Sequence, residues 1–460
     1  MLNYLWLALV ALAVFIGAAT GRLAEVTSGA FQMADTAVMK IALPLVGIMA
    51  LWLGVMRLAE RSGLVQQLAR ALRAPMRLLF PDVPEGHPAM GSMLMNMAAN
   101  MLGLANAATP LGLRAMRDLE TLNKHPGTAT NAMCTFLAIN TSSIQLLPTT
   151  AIAILATQHS QDPTAIVGTA FLATVCSTIA GITAVKWMQG WRLFRLEPAV
   201  ATAASGAAAT AAEAAPELPP EPAPLSAWGM PVIGLLLAAF AALFVWITFA
   251  PASYHDATNA LHARIFPAQV AAPAWEDNSA QHVALRAVGT LSLLAVPFLL
   301  LFFPVYASLR GVKVYEEFVE GAKEGFQVAL RVIPFLVAIL VAIGMFRGAG
   351  GIEALKSALA PLLTPLGFPP DLLPMVLVRP LSGSATTGLF TELIQRLGPD
   401  ALTSRMAGTI FGSTETTFYV IAVYFGSVAV RRARHAVAAG LFADFVGVVA
   451  SVVICRLMFA

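Results

Sequence analysis

Thr135 to Pro148 reads TFLAINTSSIQLLP, and Thr409 to Ala422 reads TIFGSTETTFYVIA. Each lies inside an apolar segment and interrupts it with a polar run, Asn140-Thr141-Ser142-Ser143 in the first and Thr414-Glu415-Thr416-Thr417 in the second. Ser and Thr hydroxyls can bond back to the preceding helical turn, so they break nothing by themselves. Asn140 and Gln145, with Pro148 close behind, cannot be absorbed that way, and neither can the carboxylate of Glu415. A helix broken at membrane depth is the economical reading of both stretches.

The two stretches end a longer repeat, residues 31 to 185 and 318 to 457. Phe31 to Met56 runs FQMADTAVMKIALPLVGIMALWLGVM and Phe318 to Phe346 runs FVEGAKEGFQVALRVIPFLVAILVAIGMF. Leu43-Pro44 falls on Ile333-Pro334, Gly54 on Gly344, and Arg57 or Arg347 follows. Each copy continues through Gly63-Leu64 or Gly351-Ile352, a short Leu/Ala-rich helix, and Phe80-Pro81 or Phe368-Pro369. A segment rich in small and polar residues, the interrupted stretch and a last apolar helix complete each copy.

Hydrophobic residues make up 58% of the chain and charged residues 12%, and mean hydropathy is +0.75. That is too apolar for a soluble surface and marks a polytopic membrane protein. The net charge of +3 comes with basic residues in short loops, a topology signal and not a nucleic-acid footprint. Cys134, Cys176 and Cys455 lie in apolar segments without metal-ligand spacing and read as small buried hydrophobes. The histidines show no paired spacing, so no metal is expected, and no HExxH or GxSxG motif suggests an enzyme. The amino-terminal apolar run lacks a basic leader and reads as a retained helix.

Spans are expected at about 3–20, 36–57, 131–156, 163–186, 228–250, 286–309, 327–346, 402–427 and 436–457. Segments 86–113 and 370–395 are too interrupted to cross. Arg57, Arg61, Arg70, Arg73 and Arg77 precede the first, and Arg114, Arg117 and Lys124 follow it, which puts both ends on one side, as in a re-entrant hairpin. Placing those arginines in the cytoplasm makes the second copy enter from the opposite side and returns Arg431, Arg432 and Arg434 to the cytoplasm. Arg347, Lys356, Arg396 and Arg405 are then exposed outside, against the rule. The expected fold is all-α, with two inverted-topology repeats, each holding a re-entrant helical hairpin and a broken transmembrane helix. Its parts are a membrane half (1–195), an Ala/Pro-rich cytoplasmic linker (196–226), two extra helices flanking an external loop with Tyr254, His255 and Trp275 (227–317), and a second membrane half (318–460).

Candidate binding residues sit where helices must break. In the first hairpin they are Asn96, Asn100, Asn106 and Thr109, since amides are costly in lipid unless used. The first broken helix adds Asn140, Thr141, Ser142, Ser143 and Gln145. The second hairpin adds Arg379, Ser382, Ser384, Thr386 and Thr387, and the second broken helix Ser413, Thr414, Glu415, Thr416 and Thr417. A carboxylate at mid-membrane costs about 3 kcal/mol or more, so Glu415 should meet a cation, a proton or a substrate hydroxyl. Arg379 would hold a carboxylate or phosphate in two-point fashion; an ion pair with Glu415 or a helix-end cap explains it equally well. Asp444 is a weaker candidate, and Glu392 reads as interfacial.

The segments MLNYLWLALV, NMAANMLGLANAATPLG and NAMCTFLAINTSSIQLLPTT resemble spore maturation protein A, while RPLSGSATTG and GTIFGSTETTFYV resemble spore maturation protein B. The chain therefore looks like a fusion of the two within the nucleoside recognition, or Gate, group. That group is similar to concentrative nucleoside transporters, and the resemblance implies paired hairpins and broken helices around a central site. It matches Asn140 to Gln145 and Thr414 to Thr417 to positions that bind nucleoside and sodium; Arg379 departs from that pattern and favours an anion. The expectation is a multi-pass transporter of the bacterial inner (cytoplasmic) membrane for a small polar or anionic solute. Coupling would run through a sodium ion or a proton at Glu415, Asn140 and Ser143, in a homo-oligomer embedded in the lipid bilayer. A nucleoside transporter-like permease is one alternative, and a non-transporting membrane scaffold or regulator of envelope maturation is the alternative from another class.

Overall fold

The computed structural model describes residues 2–84, 86–143, 145–194, 224–225, 228–266, 281–363, 365 and 367–459. The Ala/Pro-rich linker apart from 224–225, Trp275, and the side chains of Asn106 and Lys356 lie outside that description. Among the described residues the chain is helical throughout, and its β-structure is a single bridge between Thr128 and Arg432.

α1 (Leu2–Thr20) ends at Gly21, whose φ of 73° suits glycine. α2 (Leu23–Asp35), a π-helical stretch (Thr36–Ala42) and α3 (Leu43–Arg61) then form one 39-residue helix. The span expected from 36 therefore begins at Leu23. Its polar first part hides the continuation from a hydropathy reading, and the wide π turn comes just before Pro44, which cannot donate and crowds the turn before it. α4 (Leu64–Ala71) and α5 (Arg73–Leu79) lead to the first hairpin, α6 (Pro88–Met101) and α7 (Ala105–Glu120), which reverse at Gly103 with φ 76°. α8 (Asn131–Thr141) starts on the Thr130 hydroxyl, which accepts the Met133 N–H; it breaks, resumes as α9 (Thr149–Thr157), and is closed by α10 (Ile166–Met188).

α11 (Gly229–Phe249) and α13 (Val283–Leu309) are the extra pair, joined through α12 (Pro251–Ile265), which carries Tyr254 and His255. The second copy follows: α14 (Val314–Gly348), α15 (Gly351–Leu363), the hairpin α16 (Leu373–Val378) and α17 (Gly383–Leu397), the broken helix α18 (Leu402–Ser413) and α19 (Thr417–Gly426), and α20 (Ala436–Phe459). α14 also begins earlier than its apolar core suggests, with Glu317 and Glu324 on its amphipathic first turns paired to Arg57 and Arg61 of α3. At 35 residues it is about 52 Å long, well beyond a hydrocarbon core of about 30 Å. Among the described residues six helices have the length and hydropathy of membrane spans, and the separate pieces of the two broken helices are each too short to cross alone.

Corresponding helices of the two copies pack antiparallel. Gly54 meets Phe318, Gly325 meets Met49, and Gly29 meets Gly344 about one turn before Gly348 reaches Glu25. On the closing helices, Gly181 sits at Ala443 and Ser177 donates to the Ala443 carbonyl at 2.9 Å and lies by Gly447. α8 packs on α19 and α9 on α18, so the leading piece of one broken helix lies on the trailing piece of the other. Glycine is needed at these crossings: a Cβ on Gly325 would stand 2.6 Å from the Met49 carbonyl oxygen.

Two expectations need correction. Arg347, Arg396 and Arg405 are not free cations: Arg347 and Arg396 pair with buried Glu392, Arg396 also with Asp371 at 2.6 Å, and Arg405 with Asp400 at 4.0 Å. Cys176 faces outward from α10, whereas Cys134 and Cys455 are buried; an apolar segment does not reveal which face a small residue occupies. At the basic end, the Arg431 and Arg432 N–H groups donate to Gly127, and Arg434 donates to Ala129 and Phe194 carbonyls. Three loops that the charge pattern assigns to one membrane side thus meet.

Candidate functional site

Each broken helix loses backbone hydrogen bonds at its gap, and the hairpin of its own half supplies one. The Leu146 N–H donates to the Met101 carbonyl at the tip of the first hairpin, and the Phe418 N–H to the Pro380 carbonyl at the tip of the second, both at 3.0 Å. The two gaps also touch: Ser143, held at φ 54°, donates its hydroxyl to the Gly412 carbonyl at 3.3 Å, and Gly412 leaves room for Pro148. The breaks of the two copies therefore meet at one crossing in the interior.

On the first copy's side the chemistry is neutral. Asn96, fully buried, donates to the Ala108 carbonyl at 2.7 Å, tying the hairpin arms together. Asn100 donates to Asn140 Oδ1 at 2.8 Å, and Asn140 returns its own amide N–H to the Phe136 carbonyl at 2.9 Å. Tyr424 of α19 stands over this group, 3.3 Å from Asn96 Nδ2 and 3.5 Å from Asn140 Oδ1, its ring stacked on Phe136. Hairpin, first broken helix and second broken helix are thereby joined by three amides and a phenol.

On the second copy's side the chemistry is ionic. Arg379, buried in the turn after α16, donates Nε to Thr414 Oγ1 at 3.1 Å and Nη2 to the Phe411 carbonyl at 2.8 Å and to the Thr414 carbonyl. Those carbonyls belong to the end of α18, where no further turn exists to bond them, so the guanidinium serves as a cationic C-terminal cap. It also stacks on the Phe411 ring at 4.4 Å and pairs with Glu415 at 3.5 Å. Glu415 Oε2 accepts the Thr416 N–H at 3.1 Å. Asp444 of α20, buried, accepts the Thr417 hydroxyl at 2.6 Å and the Glu415 N–H at 3.5 Å. One guanidinium thus faces two carboxylates.

The sequence candidates divide accordingly. Asn96, Asn100 and Asn140 gather in the neutral group, and Arg379, Thr414, Glu415 and Thr417 in the ionic one; α19 connects the groups through Thr417 and Tyr424. Thr416 lies by Gly383 at the second hairpin's tip. Gln145 is half-buried beside the first gap, and Thr109 is half-buried in α7. Others are turned to local or interhelical bonds. Thr141 bonds back to Ala138, Ser142 reaches Thr178 at 3.1 Å, and Ser413 meets Ser451 at 2.9 Å. Ser382 caps α17 through the Ala385 N–H, and Thr386 and Thr387 bond back within that helix. Ser382 and Ser384 line a separate cavity of about 300 Å³ with Trp6. Sequence reasoning missed Tyr424 and undervalued Asp444. A phenol inside the apolar TFYVIAVYFG helix is the available signal for the first, and an acid inside an apolar span is the signal for the second.

The family model described as nucleoside recognition, named Gate, matches residues 42–158 and 329–431. Spore maturation protein B of Bacillus subtilis (strain 168) is 41% identical over 175 residues, 38% of this chain and 98% of that protein. Spore maturation protein A of the same organism is 43% identical over 182 residues, 40% of this chain and 92% of that protein. Among solved structures, the YdaH transporter of Alcanivorax borkumensis aligns over 99% of this chain and 96% of its own, with 16% identity and a TM-score of 0.41.

Proposed function

We propose that this chain, which belongs to the family of spore maturation proteins A and B and joins relatives of both in one polypeptide, is a bacterial inner-membrane secondary transporter. It moves a small polar solute by alternating access, coupled to a sodium ion or a proton. The observation that carries this reading is the contact of two antiparallel helix breaks, Ser143 on Gly412, with two carboxylates against one guanidinium beside it. Two packings of equivalent parts can present such a crossing to either face.

Charge supports the coupling. With Arg379 positive and Glu415 and Asp444 ionised, the group carries one surplus negative charge, which a low-dielectric interior disfavours. A proton on a carboxylate cancels it; so does a sodium ion held by carboxylate, hydroxyl and carbonyl oxygens. The neutral amide group is suited to the polar part of a solute, with donors and acceptors that add no charge. An anion would have to rely on the remaining Nη1 of Arg379, because Nε and Nη2 are committed to the end of α18.

The test is thermal unfolding of the purified protein with nucleosides, small carboxylates and amino acids, each with and without sodium and at two pH values. A ligand at one hundred times its Kd stabilises by about 2.7 kcal/mol. The expected result is a sodium- or pH-dependent shift that the Glu415→Gln variant loses while remaining folded. Full ion-coupled binding by that variant would remove Glu415 from the mechanism.

A further inference from the structure

A cavity of about 500 Å³ opens between the second hairpin and α20. Its walls are apolar, with Phe368 and Val376 on the hairpin side and Val448 and Val452 on α20, and its inner end holds Arg379, Thr414 and Asp444. Those three residues are each no more than 5% exposed, whereas Phe445 and Val453 at the rim are 65% and 51% exposed. The rim lies on the exposed apolar face of α20, a helix with the length and hydropathy of a membrane span, which sets the mouth against hydrocarbon when that helix crosses the bilayer. Its size is that of a small-ligand pocket, with the same balance of apolar wall and few polar groups.

We infer that this cavity binds a neutral amphiphile from the bilayer, a single hydrocarbon chain with a hydroxyl head. The chain fits the valine-lined wall. The head is set by the inner end: Arg379 Nη1 has no partner among the described residues, and Asp444 has acceptor capacity beyond the Thr417 hydroxyl and the Glu415 N–H. A hydroxyl accepts from the guanidinium and donates to the carboxylate at once, and adds no charge. A carboxylate head would add a second surplus negative charge to a group that already carries one; an ammonium head would leave the Nη1 donor without an acceptor. Such binding does not depend on transport, since the cavity can fill whether or not a solute crosses.

The experiment uses the full-length protein in lipid nanodiscs carrying a small fraction of a monoacylglycerol with a photoactivatable diazirine in its chain, or a fatty acid of equal length with the same group. Adducts are mapped by mass spectrometry. The inference expects monoacylglycerol adducts concentrated at residues 441–453 and 368–376, about tenfold above the fatty acid there. Val448→Trp, which fills the wall, should remove that excess while leaving adducts on α11 and α13 unchanged. Should Val448→Trp fail to fold, Val453→Trp blocks the exposed rim and is expected to act likewise. Adducts spread evenly over every outward-facing helix, equal labelling by both probes, or labelling untouched by a folded tryptophan variant would overturn it.

Discussion

The two broken helices share a scaffold and differ in chemistry. Both end their first piece at a polar run, both give a backbone N–H to the tip of their own hairpin, and both are closed by a small-residue face of α10 or α20. Yet where the first gap is flanked by Asn100, Asn140 and Ser143, the second has Arg379, Glu415 and Asp444. A helix break frees carbonyls that need donors, and amides or a guanidinium can supply them. Only the guanidinium solution brings a charge, and with it the need for balancing carboxylates. The lesson is that a duplicated fold leaves its halves free to differ, one gap being flanked by neutral amides and the other by ionic groups.

The sharpest way to break this comparison is Arg379→Met. It leaves the buried Asp444 and the half-buried Glu415 without their cation and strands the α18 carbonyls, each buried group left unmet costing about 1–3 kcal/mol. Thermal unfolding should show that loss, and the double variant Arg379→Met, Glu415→Gln should recover part of it. No recovery would mean that the arginine acts as a cap alone. Next in size, Asn140→Ala loses its bonds to Asn100 and Phe136 and should cost about 1–3 kcal/mol, without altering the sodium or pH dependence of stability. A change in ion dependence would show the two halves are not divided as described. The smallest effect belongs to Ser143→Gly: relief of a left-handed backbone, about 1–2 kcal/mol, offsets the loss of one hydrogen bond of about 1 kcal/mol. Unfolding midpoints should nearly coincide with wild type, and a large drop would assign Ser143 a greater part in joining the gaps.

Much of this was legible in the letters. Leu43-Pro44 against Ile333-Pro334 and the two polar runs give the repeat, because proline and mid-membrane amides punctuate a helix regardless of context. The helix starts at Leu23 and Val314 were hidden, since polar turns that pack on another helix look like loops to a hydropathy reading. The role of Arg379 was half visible: a buried arginine requires acceptors, and sequence offers Glu415, but that its nitrogens also cap Phe411 and Thr414 depends on the hairpin folding back to α18. Tyr424 reaches Asn96 and Asn140 across more than 280 residues of chain, as sequence separations of 328 and 284 record, and no local pattern encodes such a contact.

The most direct test of the central claim is accessibility at the crossing. With Cys134, Cys176 and Cys455 replaced by serine or alanine, Gln145→Cys is placed in proteoliposomes and challenged with a membrane-impermeant thiol reagent from each side in turn. Labelling from both faces is expected, with the balance shifted by sodium or pH, and the shift abolished by Glu415→Gln. Labelling confined to one face under every condition would contradict alternating access at this site.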